Sequence, residues 1–153
     1  MIDYGAILAL NQAHEKETSA LDQASLRALT DQSFHLGLRA EGRDGFLIAL
    51  DQDAIYASAN FAWFKARYPR FIYIDRVIVA PHARGSGLAR ALYEELFRTA
   101  AASAHDLIGC EVYKTPPNPA SDAFHARLGF TVIGEASSAD REKTVRYMTR
   151  KII

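Results

Sequence analysis

The hydrophobic and polar positions at the start of the chain repeat with the period of an α-helix. Apolar residues at this spacing predict a first helix from Ile2 to Ala13 and a second helix that begins near Asp22. Either Ser19 or Asp22 would cap the second helix, and Leu26 and Leu29 would face inward from it. The chain therefore opens with two helices that are joined by a polar connector.

The pattern then changes to short strands and an aromatic segment. Two apolar segments, His35–Arg39 and Phe46–Leu50, flank the turn Glu41–Gly45, whose glycines and acidic residues predict a β-hairpin. An aromatic stretch follows, in which we expect a short helix between Phe61 and Arg67. Pro69 would end this helix and lead into the next strand.

The second half of the chain alternates between strands and helices. Its pattern predicts a strand at Phe71–Ala80, a helix from about Gly87 to Ala104, a strand at Leu107–Tyr113, a helix at Ala120–Leu128 and paired strands at Phe130–Gly134 and Thr144–Ile152. This order is typical of an α/β sheet of mixed direction with at least one right-handed crossover. No internal repeat or low-complexity linker interrupts it, so we expect a single domain over residues 1–153.

Two of these elements carry specific packing predictions. The β-branched run Val77-Ile78-Val79 is typical of a strand that is buried on both faces. The helix that follows repeats bulky residues at helical spacing, which would turn one face inward: Leu88, Leu92, Tyr93 and Leu96. Gly129 would end the next helix in the left-handed conformation.

Composition and charge narrow the classes of function. The chain has 18 basic and 18 acidic residues and a formal net charge of zero, so it lacks the basic excess that nucleic-acid binding requires. No apolar run is long enough to span a bilayer, and the N-terminus has no basic leader, so we expect neither a membrane protein nor a secreted one. The single cysteine, Cys110, stands in an apolar strand, which is typical of a core residue in a cytoplasmic protein.

A glycine-rich loop joins the strand at Phe71–Ala80 to the next helix. In Arg84-Gly85-Ser86-Gly87 no large side chain shields the two glycines, and a helix start offers free N–H groups and a positive dipole to a phosphate. A P-loop would need Lys-Ser/Thr where Leu88-Ala89 stand, and a dinucleotide fingerprint would need a glycine at Arg90. An acyl-CoA loop, Arg/Gln-x-x-Gly-x-Gly/Ala, fits residues 84–89, and an ordinary strand–helix turn is the remaining alternative.

A second motif lies downstream of the strand at Leu107–Tyr113. It has the form Asn118-x-x-Ser121-x-x-x-His125-x-x-x-Gly129-Phe130. Together the two motifs resemble the GNAT superfamily of N-acetyltransferases, whose usual second pattern is Asn-x-x-Ala-x-x-x-Tyr-x-x-x-Gly-Phe. The resemblance covers about Phe71 to Ile152. The first half agrees only in its helix–helix–hairpin order and has little room for the strand that usually precedes the first helix.

The resemblance implies both a fold and a reaction. The fold would be a mixed, mostly antiparallel central sheet flanked by helices, with a splayed central strand pair. The reaction would transfer an acetyl group from acetyl-CoA to a primary amine of a small molecule, an amino acid or a peptide, by direct attack in a ternary complex. A homodimer is the default oligomer, and no metal ion is expected.

By the same resemblance, coenzyme A would lie along the central strand and the glycine loop. Its pantetheine arm would add to the edge of the strand, where a bulge would aim one N–H at the thioester carbonyl. The expected cofactor-binding residues are the backbones of Val77, Ile78 and Val79, the loop residues Arg84, Gly85, Ser86, Gly87, Leu88 and Ala89, and Asn118, Ser121 and Phe124.

His125 stands where the family usually has a tyrosine that acts as the acid. An imidazole titrates near neutral pH and could protonate the leaving thiolate. The alternative is a histidine on the helix surface that contacts phosphate or solvent, while Phe124 faces the cofactor. The departure from tyrosine also keeps open a second function, a non-catalytic acyl-CoA-binding or sensing module of the same fold.

Asp75 and Glu111 are the candidates for the general base, and the sequence favours Asp75. Each interrupts an otherwise apolar strand, where a carboxylate is costly unless it is paired or functional. Strand alternation would put Asp75 on the same face as Val77 and Val79, and an ion pair with Arg76 is its non-catalytic interpretation.

Aromatic and polar side chains are expected to line the acceptor site. Tyr56, Asn60 and Tyr73 have polar tips and are the predicted substrate-binding residues. Asn11 and the connector His14–Glu17 would form the opposite wall. The remaining aromatic residues of the stretch are more typical of core: Phe61, Trp63 and Phe64.

Overall fold

The computed structural model describes residues 2–14, 18–137 and 143–152. Its helices and strands are α1 (Tyr4–Ala13), α2 (Gln23–Asp31), β1 (His35–Arg39), β2 (Gly45–Asp51), α3 (Ala59–Lys65), β3 (Ile72–Val79), α4 (Leu88–Ala102), β4 (Leu107–Thr115), α5 (Pro119–Arg127), β5 (Thr131–Ser137) and β6 (Thr144–Lys151). The predicted elements are confirmed, with bounds that differ by at most two residues except at the end of β5. That strand was expected to end at Gly134 and ends at Ser137.

Side-chain caps explain where most of the helices begin. Asp3, Asp22, Ser58 and Asn118 each accept a hydrogen bond from a backbone N–H in the first turn of α1, α2, α3 and α5. Asp22, and not Ser19, is therefore the cap of α2. Helix α4 differs from the other four, because it begins after Gly87 without a side-chain cap.

The six strands form one mixed sheet in the order β1-β2-β3-β4-β6-β5. Neighbouring strands are antiparallel except for β3 and β4, which are parallel and connected through α4. The predicted mostly antiparallel sheet is therefore confirmed. Within residues 2–14 no strand precedes α1, so the sheet starts at β1.

A hydrophobic core lies on each face of the sheet. On one face the buried residues of α4 pack against β2, β3 and β4, and Leu92, Tyr93 and Leu96 belong to this core as expected. On the other face α1, α2 and α3 cover the sheet, with Leu26 and Leu29 fully inside. No helix among residues 2–14, 18–137 and 143–152 is long and apolar enough to cross a membrane.

One packing prediction was wrong. Ile78 is buried, but Val77 and Val79 are only half-buried, so β3 is not covered on both faces along its whole length. The reason lies in the neighbouring strand, which moves away from β3 before it reaches these residues.

Candidate active site

β3 and β4 separate after a short parallel pairing and leave a cavity between them. In the part of the chain that the structure describes they pair at two positions, Ile72 with Ile108 and Tyr73 with Gly109. The cavity has a volume of about 660 Å³ and is lined by the second half of β3 and the middle of β4. The facing edges of a splayed strand pair keep unpaired backbone groups, which suit an extended, peptide-like ligand.

A β-bulge interrupts β3 at the start of this splay. In the pairing with β2, Arg76 lies opposite Ile48 and Ile74 lies opposite Ala49, so Asp75 is an extra residue without a partner. The bulge was expected at Val77–Val79 and is therefore found nearer the start of the strand. Because it breaks the alternation of side chains, it also overturns the expectation that Asp75 shares a face with the two half-buried valines.

The Asp75 carboxylate is held by the residue that follows it. Arg76 Nε donates to Asp75 Oδ2 at 2.7 Å, and the two side chains are 3% and 4% exposed. The Arg76 guanidinium also donates to Asn11 Oδ1 at 2.9 Å and to Ser19, so it ties the bulge to the end of α1 and the connector after it. The ion pair considered for Asp75 is thus present, and burial together with Asp75 raises the pKa of nearby Tyr56.

Glu111 lies at the centre of a second polar group, on the β4 side of the cavity. The Tyr73 hydroxyl lies 2.9 and 2.8 Å from its two carboxyl oxygens, and Asn60 Nδ2 donates to Oε1 at 3.1 Å. The Tyr147 hydroxyl in turn donates to Asn60 Oδ1 at 2.8 Å, which fixes the orientation of the amide. No cation pairs with the Glu111 carboxylate among the described residues, in contrast to Asp75.

Burial raises the pKa of Glu111 to about 8, and the neighbouring Asp75 charge adds to the rise. The hydrogen bonds from Tyr73 and Asn60 act in the opposite direction, because they stabilise the ionised form. Burial and the Glu111 charge raise the pKa of Tyr73 well above its usual range, so this phenol stays protonated. A carboxyl that titrates near pH 8 is suited to accept a proton from an amine.

His125 is a buried residue of α5, not a surface histidine. It is 6% exposed, and burial lowers its pKa. Nδ1 lies 2.8 Å from the Ser121 carbonyl oxygen, and Nε2 lies 2.8 Å from the Tyr93 hydroxyl. The sequence had suggested no role for Tyr93 beyond the core, although a polar tip on an otherwise apolar helix face was a clue.

The glycine loop is open and its backbone is available to an anion. Gly85 and Gly87 have φ of +79° and +78°, and a Cβ added at either position would meet no atom within 4 Å. The start of α4 has no side-chain cap and neither glycine is shielded, so the loop has room for a diphosphate at the helix start. Arg84 Nε donates to the Val79 carbonyl at 3.1 Å, and its Nη2 lies 2.9 Å from His14 Nε2, so the loop contacts the end of α1.

The predicted site residues divide into those that line the cavity and those that do not. The lining contains Tyr56, Asn60, Tyr73, Asp75, Val77, Ile78, Val79, Arg84, Glu111, Asn118, Ser121 and His125. Outside it lie the exposed or half-buried loop residues Gly85, Ser86, Gly87, Leu88 and Ala89, and the half-buried Phe124.

Two residues that were expected at the cavity, Phe124 and Asn11, do not line it. Phe124 packs edge-on against Tyr93 with ring centroids 5.2 Å apart and does not face the cavity. Asn11 is fully buried behind the cavity, so the opposite wall contains His14 but not Asn11. The rest of the predicted wall, residues 15–17, lies outside the described residues. No cluster of His, Cys, Asp and Glu able to hold a metal ion occurs in the described ranges.

The comparison with protein families now decides the assignment. The model of the Acetyltransferase (GNAT) family matches residues 8–130, which include β3, the glycine loop, β4 and α5. The chain belongs to the GNAT family. GNAT enzymes use acetyl-CoA as their acyl donor, so the cofactor expected from the glycine loop is confirmed at the level of the family.

Solved GNAT structures share the fold over almost the whole chain. The ribosomal-protein-S18-alanine N-acetyltransferase from Escherichia coli matches with a TM-score of 0.67 and 16% identity, over 98% of this chain and 88% of that one. The ribosomal-protein-alanine N-acetyltransferase from Brucella melitensis matches with a TM-score of 0.69 and 20% identity, over 97% of this chain and 94% of that one. A chain of the NatC complex bound to Gag peptide and CoA matches with a TM-score of 0.71 and 14% identity, over 98% of this chain and 91% of that one. No curated protein sequence matches significantly.

Proposed function

We propose that this protein is an acetyl-CoA-dependent N-acetyltransferase that acts on a primary amine of a small molecule, an amino acid or a peptide. Transfer would occur by direct attack in a ternary complex. The observation that carries the proposal is Glu111, an unpaired carboxyl with a pKa of about 8 on the wall of the cavity between β3 and β4. A buried carboxyl without a cationic partner is costly unless it is used, and its raised pKa gives it the proton affinity of a base for an ammonium group.

The cofactor would bind along β3 and across the glycine loop. Backbone N–H groups of residues 84–89 would bind the diphosphate, helped by the dipole of α4. The free edge of β3 from the bulge to Val79 would pair with the pantetheine arm, and Asn118 and Ser121 would contact it from α5. Acetyl-CoA supplies the acetyl group as a thioester and leaves as a thiol.

Glu111 would remove the proton that an amine carries at neutral pH. The ammonium N–H would approach the carboxylate between Tyr73 and Asn60, and the carboxyl would then pass the proton to water. Asp75 is less suited to this task, because Arg76 already occupies its carboxylate. We therefore assign the base to Glu111, and Asp75 contributes a negative charge that helps to hold a proton on Glu111.

The walls of the cavity offer hydrogen-bonding groups to an amine acceptor. Two carboxyls and the polar side chains of Tyr56, Asn60 and Tyr73 are among its lining residues, and such groups can hydrogen-bond an amine. The names of three structural neighbours refer to protein alanine acetylation or to a bound peptide. Peptides with a free α-amine therefore belong in any panel of acceptors.

Three further predictions belong to this proposal and extend beyond the family assignment. We propose that the 153 residues form one catalytic domain, that the protein works in the cytoplasm, and that it forms a homodimer. Neither nucleic acid nor membrane is a partner in this proposal, consistent with a net charge of zero.

A thiol-release assay tests the function. Purified protein is incubated with acetyl-CoA and each member of a panel of polyamines, amino acids and peptides with free or blocked N-termini, and the free thiol is measured. We expect release that depends on one class of free amine and is lost in Glu111→Gln. CoA binding by calorimetry without amine-stimulated release would refute acetyl transfer and support a non-catalytic acyl-CoA-binding module.

A further inference from the structure

His125 uses both of its ring nitrogens within the protein. A carbonyl oxygen can only accept, so the contact of 2.8 Å with Ser121 O puts the ring proton on Nδ1. Burial lowers the pKa of His125, so the ring is neutral near neutral pH and Nε2 is a bare acceptor. The Tyr93 hydroxyl, 2.8 Å from Nε2, must therefore be the donor of that hydrogen bond.

Because the Tyr93 hydroxyl donates its proton to His125, its oxygen lone pairs remain available to accept a hydrogen bond from another group. The bond to His125 is the one hydrogen bond of this hydroxyl within the described residues. Tyr93 is 1% exposed, and Phe97, Phe124 and Phe130 surround its ring at centroid distances of 6.2, 5.2 and 6.1 Å. Packed aromatic neighbours hold the ring in place, and Tyr93 is one of the residues that line the cavity.

Tyr93 is not suited to act alone. Burial raises its pKa well above the usual range, and a negative charge on Glu111 acts in the same direction, so a free tyrosinate is disfavoured. Such a phenol can transfer a proton only if it receives another one at the same time. The bare Nε2 of His125 is placed to take and return that second proton.

We propose that Tyr93 and His125 form a proton relay in which the Tyr93 hydroxyl contacts the reacting atoms and His125 holds the proton in transit. The inference rests on the proposed acetyl transfer. It differs from the role that the family resemblance implies, because the reacting hydroxyl comes from α4 and the histidine of α5 acts behind it.

The relay moves one proton from nitrogen to sulfur. As the amine lone pair forms the bond to the acetyl carbon, an N–H bond breaks, an O–H bond forms at Tyr93, and the original Tyr93 proton moves to His125 Nε2. As the carbon–sulfur bond breaks and leaves its electron pair on sulfur, His125 returns its proton to Tyr93, and Tyr93 gives one to sulfur. Nitrogen has lost one proton, sulfur has gained one, and both side chains are restored. Glu111 removes only the earlier, ammonium proton.

Two single variants and their combination test the relay. Tyr93→Phe removes only the hydroxyl, and His125→Gln keeps an acceptor for Tyr93 but cannot carry a proton. We expect each to lower kcat by about 10²–10⁴-fold, the range for loss of general acid–base catalysis. The CoA Kd should change by less than about twofold, and the double variant should be no slower than the slower single variant, because the two groups act as one unit.

A spectroscopic measurement tests the arrangement without turnover. The ¹⁵N resonances of His125 in the substrate-free protein should show protonation at Nδ1 and a hydrogen-bonded, unprotonated Nε2. In Tyr93→Phe the Nε2 resonance should move towards that of a nitrogen without a donor. Protonation at Nε2 in the wild type would overturn the relay whatever the kinetics show.

The kinetic outcomes separate this inference from the proposed function. The relay is wrong if Tyr93→Phe retains kcat within about threefold of the wild type, if the two losses multiply, or if CoA affinity falls as much as kcat. Each of these results leaves acetyl transfer by the wild type intact. A wild type that binds CoA but releases none with any amine overturns both proposals. If Tyr93→Phe does not fold, His125→Gln decides alone, since full activity in that variant refutes proton transfer through His125.

Discussion

Replacing Glu111 with glutamine tests the electrostatics and the chemistry of the cavity together. The substitution keeps the shape of the side chain and an oxygen that can accept from Tyr73 and Asn60, but it removes the titration. In the wild type, burial raises the pKa from 4.5 to about 8. At pH 7 only about a tenth of the molecules then carry the carboxylate.

The activity should follow this titration. We expect kcat/KM for the amine to rise about tenfold per pH unit up to about pH 8 and then to level off, since the base must be ionised. Glu111→Gln should lower kcat/KM by about 10²–10⁴-fold and should lack this acid limb. Initial rates of thioester loss, followed directly by absorbance between pH 6 and pH 9.5, measure both quantities.

The stability should change with pH in the opposite sense. Between pH 4.5 and 8 the folded carboxyl keeps a proton that the unfolded chain has released, so the free energy of unfolding falls as the pH rises. The rise from 4.5 to about 8 is about 3.5 in pKa, which at 1.36 kcal/mol per unit corresponds to about 5 kcal/mol. Relative to the wild type, Glu111→Gln should therefore gain up to about 5 kcal/mol between pH 4 and pH 9.

Urea denaturation of the two proteins at several pH values measures this gain, because the other carboxyls cancel in the difference. Glu135→Gln is the matched control: it removes a strand glutamate that pairs with Lys114 outside the cavity. The control should keep both the rise of kcat/KM with pH and the pH dependence of the free energy of unfolding that the wild type shows. A difference between wild type and Glu111→Gln that does not vary with pH, or an acid limb that persists in Glu111→Gln, would refute the reasoning.

Three further changes have definite expected outcomes. Tyr73→Phe removes a donor that lowers the pKa of Glu111, so the acid limb of kcat/KM should move to higher pH; a limb that stays in place would contradict this. Gly87→Glu should abolish CoA binding in calorimetry by placing a carboxylate in the anion site, whereas Gly129→Glu, at another glycine with positive φ, should retain it. Arg76→Met should lower the free energy of unfolding in urea by about 3–5 kcal/mol, because its carboxylate partner is left buried and unpaired; an unchanged midpoint would argue against a tight pair.

The elements of the fold followed from local patterns, and the exceptions have long-range causes. Hydrophobic spacing placed β3 within one residue at each end, because it depends on residues that are close in sequence. The burial of Val77 and Val79 did not follow, because it depends on where β4 stops pairing with β3. The bulge at Asp75 arises in the pairing with β2, where Ile48 and Ala49 set the register.

The candidate site was predictable as a set of residues but not as a mechanism. Twelve of the predicted catalytic, cofactor-binding and substrate-binding residues line one cavity, since most of them lie on β3, β4 and α5, which meet there. Which carboxylate is free was not predictable. Asp75 has its partner one position away in Arg76, whereas the donors to Glu111 lie 38 and 51 positions away.

The sequence by itself determined the order of the elements and the position of the glycine loop, because each depends on neighbours within a few residues. Only the tertiary structure decided the proton affinities and partners in the cavity. Burial, which raises the pKa of Glu111 and of Tyr93, exists only after the sheet and helices have packed. The hydrogen bond between Tyr93 and His125 likewise joins two helices 32 positions apart, so no local pattern could have revealed it.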